Sequence, residues 1–157
     1  MSIGSEENPA ANETLEMVSM TKLNEVTGNI HVYNNGVKFV QFDLLKAIEG
    51  DFVISSSTLT TLQIPELINV GGALNIFGMG KGAISTLVFP KVQTVKNSLS
   101  INEISTLKSI SFPELIETGS INFSSLPIEF EKLSMPKLSV VNGDCFIISN
   151  YIQGDLF

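Results

Sequence analysis

Apolar and polar residues alternate over short stretches along most of the chain, and the same stretches recur. Residues 72–76 read Gly-Ala-Leu-Asn-Ile, and residues 28–32 read Gly-Asn-Ile-His-Val. Alternation over four or five residues is typical of short, half-buried β-strands and not of helical turns. The pattern therefore predicts a chain that is built from short strands.

These strands belong to a longer repeat, in which an apolar anchor residue follows the first strand of each copy. The anchors are separated by 22, 22, 25, 23 and 23 residues and fall at Leu23, Leu45, Leu67, Val92, Leu115 and Leu138. In the last four copies a proline stands two residues before the anchor, at Pro65, Pro90, Pro113 and Pro136. Repeats of this length are typical of solenoids. The sequence predicts a mainly β, parallel β-solenoid of about six rungs of 22–25 residues.

Stacked rungs bring equivalent residues to about 4.8 Å from each other, the spacing of paired strands. One interior ladder is predicted to contain Phe42, Ile64, Phe89, Phe112 and Met135. A second interior ladder is predicted to contain Ile30, Phe52, Leu74, Leu99, Ile121 and Cys145, with the cysteine as a small buried apolar residue. The residues directly before the anchors alternate in charge from Glu66 through Lys91 and Glu114 to Lys137, which favours stacking in this register.

The repeat also predicts the domain organisation. Residues 1–14 have no repeat register and are predicted to be a disordered or linker segment, whereas residues 15–157 form a single solenoid domain. Residues 78–82 are an insertion, predicted to bulge as a flexible loop. The chain stops partway into a rung at residues 151–157, which predicts either truncation before further rungs or self-association through an uncapped end.

Composition and charge narrow the classes of partner. The net charge is −7 and the nine Lys and Arg residues form no cluster, which argues against a nucleic-acid partner. No apolar run approaches the roughly 20 residues that a membrane-spanning helix needs. The single cysteine excludes a disulfide framework within the chain. The first twelve residues lack the basic and apolar regions of a signal peptide.

The chain offers little material for catalysis. His31 is the only histidine and falls at an outward strand position, which argues against a metal site. Residues 78–82 read Gly-Met-Gly-Lys-Gly and do not match a phosphate-binding loop, and no serine lies in a Gly-x-Ser-x-Gly motif. We therefore expect a protein that is not an enzyme and has no cofactor and no bound metal.

The most favourable binding surface is the outward row of the strand that follows the glycine. This row is predicted to contain His31, Val53, Asn75, Ser100, Asn122 and Phe146. Parallel rungs present such side chains in a line, which suits an extended peptide or glycan chain. The alternative is an ordinary solvated sheet surface. Two sequons, headed by Asn12 and Asn122, predict glycosylation sites if the protein is secreted.

The complete rung, Leu-x-x-Leu-x-Phe-Pro-x-Leu-x-x-Val-x-Gly-x-Leu-x-Ile-x-x-Asn, resembles the rungs of receptor L-domains. It is most similar to those of the fungal GPI-anchored cell-wall and sporulation proteins, through residues 62–76, 87–102, 110–123 and 133–150. The resemblance implies a right-handed parallel β-helix with leucine-rich-repeat character, in an extracellular, wall-linked glycoprotein. The chain lacks the signal peptide, GPI tail and flanking cysteines of that family, which leaves a cytoplasmic location open.

These observations lead to more than one hypothesis about function. The first is a non-enzymatic cell-surface structural protein that takes part in cell-wall or spore-wall organisation. The second is a receptor-like module whose sheet face binds a peptide or a saccharide, and the third is an intracellular scaffold. The expected partners are a cell-wall polysaccharide or a surface protein.

Overall fold

The structure, a computed structural model, describes residues 2–3, 15–79 and 84–149 of the chain. Every regular element in these residues is a β-strand. Each rung contributes up to three strands. The first strands of successive rungs are β2 (Met17–Ser19), β5 (Phe39–Gln41), β8 (Thr61–Gln63), β11 (Thr86–Val88), β13 (Ser109–Ser111) and β15 (Lys132–Ser134).

The second strands are only two residues long and lead into longer third strands. The second strands are β3 (Glu25–Val26), β6 (Ala47–Ile48), β9 (Asn69–Val70) and β16 (Val140–Val141). The third strands are β4 (Ile30–Tyr33), β7 (Phe52–Ser55), β10 (Leu74–Met79) and β17 (Cys145–Ser149). In the fourth and fifth rungs the two merge into β12 (Thr94–Ile104) and β14 (Glu117–Leu126).

Equivalent strands of successive rungs pair in parallel at all but one step, which confirms the predicted mainly β solenoid of about six rungs. The predicted second interior ladder is confirmed residue by residue. Its cross-strand pairs are Ile30 with Phe52, Phe52 with Leu74, Leu74 with Leu99, Leu99 with Ile121, and Ile121 with Cys145. Of these, all but the cysteine are buried, so the rungs share one continuous core.

The first predicted ladder is also inside the molecule. The Phe89 and Phe112 rings stack with centroids 4.7 Å apart and an interplanar angle of 4°. Phe42 and Ile64 are buried, and Met135 packs against the core while half-buried. The prolines that follow this ladder lie in turns, where a missing N–H group removes no bond from the sheet.

The prediction that Cys145 is buried is wrong. Cys145 is exposed, although it lies at the predicted ladder position opposite Ile121. Its strand, β17, pairs with β14 and belongs to the last rung that the structure describes. Ile147, the next residue of the same row, is also 51% exposed. Among the described residues, both side chains therefore have a neighbouring rung on one side only.

The charges beside the anchors stack as the sequence predicts. Lys91 Nζ lies 2.6 Å from a carboxylate oxygen of Glu66, and Lys137 Nζ lies 2.6 Å from one of Glu114. The lysines are exposed and the glutamates half-buried, and ion pairs at the surface contribute little, about 0.2–1 kcal/mol each. They support the register of the rungs more than the stability of the fold.

The N-terminal segment is described in one place. Ser2–Ile3 forms β1, which pairs in parallel with β4 and places Ser2 opposite His31. The remaining residues of the predicted linker lie outside the described residues, as do the sequon at Asn12 and residues 151–157. Of the predicted inserted loop, Gly78 and Met79 extend β10, and residues 80–82 lie outside the described part of the chain.

The stack of first strands is interrupted once. It forms two separate three-stranded sheets, β2-β5-β8 and β11-β13-β15, because β8 and β11 do not pair. The connection into β11 is longer than its predecessor: nine positions separate Phe77 from Thr86 (86 − 77), against six from Ser55 to Thr61 (61 − 55). The third strands β10 and β12 remain paired across the same two rungs. Among the described strands, pairing between these two rungs is therefore lost on one side of the solenoid only.

Candidate functional site

The register places all six residues of the predicted outward row in one line across the third strands. His31 pairs with Val53, and Val53 pairs with Asn75. The line continues from Asn75 through Ser100 and Asn122 to Phe146. Side chains in such a row point away from the interior ladder, since neighbours along a strand face opposite sides of the sheet.

The side chains of the row differ in solvent exposure: those of the first three rungs are buried or half-buried, and those at the far end are exposed. Val53 is only 6% exposed, while His31 and Asn75 on either side of it are half-buried. The sequence-based expectation that the whole row forms a binding surface is therefore wrong for Val53, whose side chain is covered. Asn122 and Phe146, at the far end, are exposed, and Phe146 reaches 53% exposure.

The exposed end of the row forms a groove of about 290 Å³. Four residues of the predicted row line it: Asn75, Ser100, Asn122 and Phe146. A neighbouring row, which the sequence did not single out, adds Ser98, Ser120 and Asp144. The hydroxyl, amide and carboxylate groups offer both donors and acceptors, and Phe146 supplies an apolar edge.

A hydrogen-bonded cluster on the adjacent outward row holds Ser100, which lines this groove. Asn102 donates from Nδ2 to Ser100 Oγ over 2.7 Å. The Oδ1 atom of Asn102 accepts the Ser124 N–H at 2.9 Å and the Ser124 hydroxyl at 2.8 Å. Because Ser100 accepts from Asn102, its own hydroxyl hydrogen is free to point into the groove.

Two buried polar atoms on this face have no hydrogen-bond partner in the structure as described, His31 Nε2 and Asn75 Oδ1. An unmade hydrogen bond at a buried polar atom costs about 1–3 kcal/mol. Asn75 also lines the groove, so its amide oxygen is an acceptor next to the groove that no described protein group uses. His31 is separated from the groove by the buried Val53, and its ring lies edge-on to Tyr33 with 5.7 Å between the centroids.

Within residues 15–79 and 84–149, no three His, Cys, Asp or Glu side chains come together in a way that could hold a metal ion. The described residues contain no helix that is long and apolar enough to cross a membrane.

Comparison with known proteins gives one informative similarity. Over 125 residues the chain is 30% identical to "Cell wall protein ecm33" of Schizosaccharomyces pombe (strain 972 / ATCC 24843). The match covers 76% of this chain and 23% of the fission yeast protein, so the chain corresponds to about a quarter of that relative. No family model and no solved structure matches the chain.

Proposed function

We propose that this protein is a non-enzymatic cell-surface protein that takes part in organising a fungal cell wall or spore wall. The similarity to a fission yeast cell wall protein supports this role, and so does the rung pattern that resembles wall-linked, GPI-anchored glycoproteins. A parallel solenoid suits the role physically, because it presents a rigid, extended sheet face to a long polymer.

The outer groove is the proposed binding site, and its ligand is a cell-wall polysaccharide chain. The observation that carries this proposal is the composition of the groove, in which three serines and two asparagines face a half-exposed Phe146. Sugar hydroxyls both donate and accept hydrogen bonds, as do serine and asparagine side chains. The face of an aromatic ring packs against the apolar C–H face of a sugar ring.

The same groove supports a binding role and not a hydrolytic one. Its lining includes one carboxylate, Asp144, whereas glycoside hydrolysis normally uses a pair of carboxyl groups on the two sides of the scissile bond. Incubation with soluble wall glucan should release no new reducing ends. Reducing ends whose release is lost in Asp144→Asn would contradict this part of the proposal.

Asn122 has a second proposed use, because it heads the sequon Asn122-Phe123-Ser124 and its side chain is exposed. A glycan on Asn122 would occupy the groove, so glycosylation and binding of a wall polymer exclude each other there. Mass spectrometry of the protein from a fungal host tests this, with Asn122→Gln removing the sequon while keeping an amide.

Binding is tested with unglycosylated protein, purified fungal walls and soluble glucan, chitin and mannan oligosaccharides. Phe146→Ala should weaken binding of one of these polymers by about tenfold, the factor that corresponds to 1.4 kcal/mol. Phe39→Ala is the matched control, because Phe39 is 43% exposed on the outer side of β5, away from the groove. Equal binding by both variants, or retention of none of the polymers, would reject the proposal. Tight binding of a peptide at this groove would instead favour a receptor-like role.

A further inference from the structure

The gap between β8 and β11 leaves two strand edges facing each other inside one molecule. Every other first strand pairs with the next one, from β2 to β8 and from β11 to β15. An unpaired strand edge presents a row of N–H and C=O groups that can pair with another strand. Here two such edges, which run in the same direction, border the same groove.

The main-chain groups of β8 that face the gap can be identified from the bonds on its other side. The Thr61 N–H donates to the Lys38 carbonyl at 3.0 Å, and the Gln63 carbonyl accepts the Phe42 N–H at 2.9 Å. Peptide groups of successive residues in a strand point in opposite directions. The N–H and C=O groups of Leu62 therefore point into the gap, and no described group pairs with them.

The same reasoning applies to β11. The Phe89 N–H donates to the Ser111 carbonyl at 3.0 Å, and the Ser85 carbonyl accepts the Ser109 N–H at 3.2 Å. Residues 85, 87 and 89 thus face β13. The main-chain groups of Thr86 and Val88 face the gap from the opposite side, and the described residues offer them no partner.

A groove of about 400 Å³ borders the gap at Leu62 and Val88, extends to the turns that follow the two strands, and has a mainly apolar lining. The apolar lining residues are Leu62, Ile64, Pro65, Val88 and Pro90. Gln63 and Asp43 add polar groups, and the Asp43 carboxylate accepts a hydrogen bond from Gln41 Nε2 at 2.8 Å. A carboxylate in this position favours a ligand that carries a Lys or Arg side chain.

We propose that this groove binds an extended peptide segment of another protein, inserted as a parallel strand between β8 and β11. The inserted backbone would pair with Leu62 on one side and with Thr86 and Val88 on the other. Apolar side chains of the peptide would enter the groove, and a basic side chain of the peptide would pair with the Asp43 carboxylate. Only a polypeptide in β conformation supplies N–H and C=O groups at the strand repeat, so the two edges select a peptide and not a polysaccharide.

A suitable probe is the acetylated, fluorescently labelled heptapeptide Lys-Ser-Thr-Leu-Val-Phe-Pro, which copies residues 85–90 behind one added lysine. We expect saturable binding to the whole chain and slowed amide exchange at Leu62, Ile64, Thr86 and Val88. The matched control is the same peptide with its Leu and Val nitrogens methylated, which removes two donors and should abolish binding. Equal binding of the methylated peptide, or slowed exchange at β17 in place of β8 and β11, would overturn the proposal.

Variants of the protein test the same site from the other side. Val88→Pro removes an N–H that no described residue accepts, so the variant should keep its melting temperature within a few degrees and bind the peptide about fivefold to tenfold more weakly. Ser111→Pro is the control, because Ser111 lies in β13 between two paired strands, and it should melt at a much lower temperature. If both variants melt alike, or if Val88→Pro binds the peptide as well as the wild type, the gap does not accept a strand.

Asp43→Asn tests the proposed charge preference. It should weaken binding of the lysine-containing peptide severalfold and reduce the dependence of that binding on salt. The peptide without the added lysine should bind both proteins equally. An unchanged affinity of Asp43→Asn for the lysine peptide would remove the basic residue from the proposal.

Discussion

Three successive rungs hold a residue of positive φ at the same point of the coil. The φ angles are 76° at Gly78, 57° at Glu103 and 53° at Ser125. Each follows a residue of one cross-strand row, in which Phe77 pairs with Asn102 and Asn102 with Ser124. Glycine adopts this conformation freely, whereas other residues lose about 1–2 kcal/mol. Two of the three rungs therefore carry local backbone strain.

At the residue scale, we predict that Glu103→Gly raises the free energy of unfolding by about 0.5–1 kcal/mol. Relief of the left-handed backbone exceeds the entropy that glycine adds to the unfolded chain. Glu103 is exposed, so the substitution changes little else, and Glu103→Ala, which keeps the strain, serves as control. Urea denaturation followed by circular dichroism measures the difference. Equal midpoints for the Gly and Ala variants would contradict it.

At the element scale, the corner before each third strand is formed by backbones in close contact. The Gly72 N–H donates to the Gly50 carbonyl at 2.9 Å, and the Gly50 N–H donates to the Gly28 carbonyl at 3.1 Å. A Cβ atom on Gly72 would lie 2.8 Å from the Gly50 carbonyl oxygen, whereas a Cβ atom on Gly28 would meet none of the described residues within 4 Å. The recurring glycine is thus required only where a preceding rung lies against it.

We therefore predict opposite effects for the same substitution at equivalent corners. Gly72→Ala should destabilise the protein by about 2 kcal/mol or more, because backbone must move apart and inter-rung hydrogen bonds weaken. Gly28→Ala should be neutral or stabilising by up to about 1 kcal/mol, because alanine lowers the conformational entropy of the unfolded chain. Thermal melts of the two variants decide between these outcomes. Similar losses in both would show that the glycine serves backbone conformation and not close approach.

The sequence predicted the first and third strands of each rung but not the second. Strands such as β6 and β9 contain two residues, which is too short for an alternating pattern to appear. The break between β8 and β11 was also beyond prediction, because both strands keep the same apolar pattern around Leu62 and Leu87. The sequence predicted a longer connection between these rungs, and only the strand pairing in the structure shows that β8 and β11 are unpaired.

At the scale of the whole molecule, the sequence predicted which residues form the outward row but not how accessible each of them is. Period-2 alternation identifies the outward residues of each strand, and stacking places them in line. It carries no information about what lies over an outward residue, so the covered Val53 was not foreseen. Ser98, Ser120 and Asp144 were missed because the alternation alone does not show which outward residues border a groove.

The rungs share one core, so a destabilising substitution in a middle rung should unfold the whole domain. Leu74 is fully buried, between Phe52 and Leu99 of the neighbouring rungs. A carboxylate in Leu74→Asp would be buried without a partner at a cost of several kcal/mol, comparable with the 5–15 kcal/mol that stabilises a typical domain. Neighbouring rungs stabilise each other in a solenoid, so those on both sides would lose a packing surface.

We predict that Leu74→Asp abolishes the cooperative thermal transition and exposes apolar surface that binds a hydrophobic dye. Asn122→Asp is the control, since it adds the same carboxylate to the exposed side of the same sheet, and it should shift the unfolding free energy by no more than about 0.5 kcal/mol. Asn75 is unsuitable as a control because its amide oxygen is buried. Indistinguishable melting curves for the two variants would mean that Leu74 does not face a core shared between rungs.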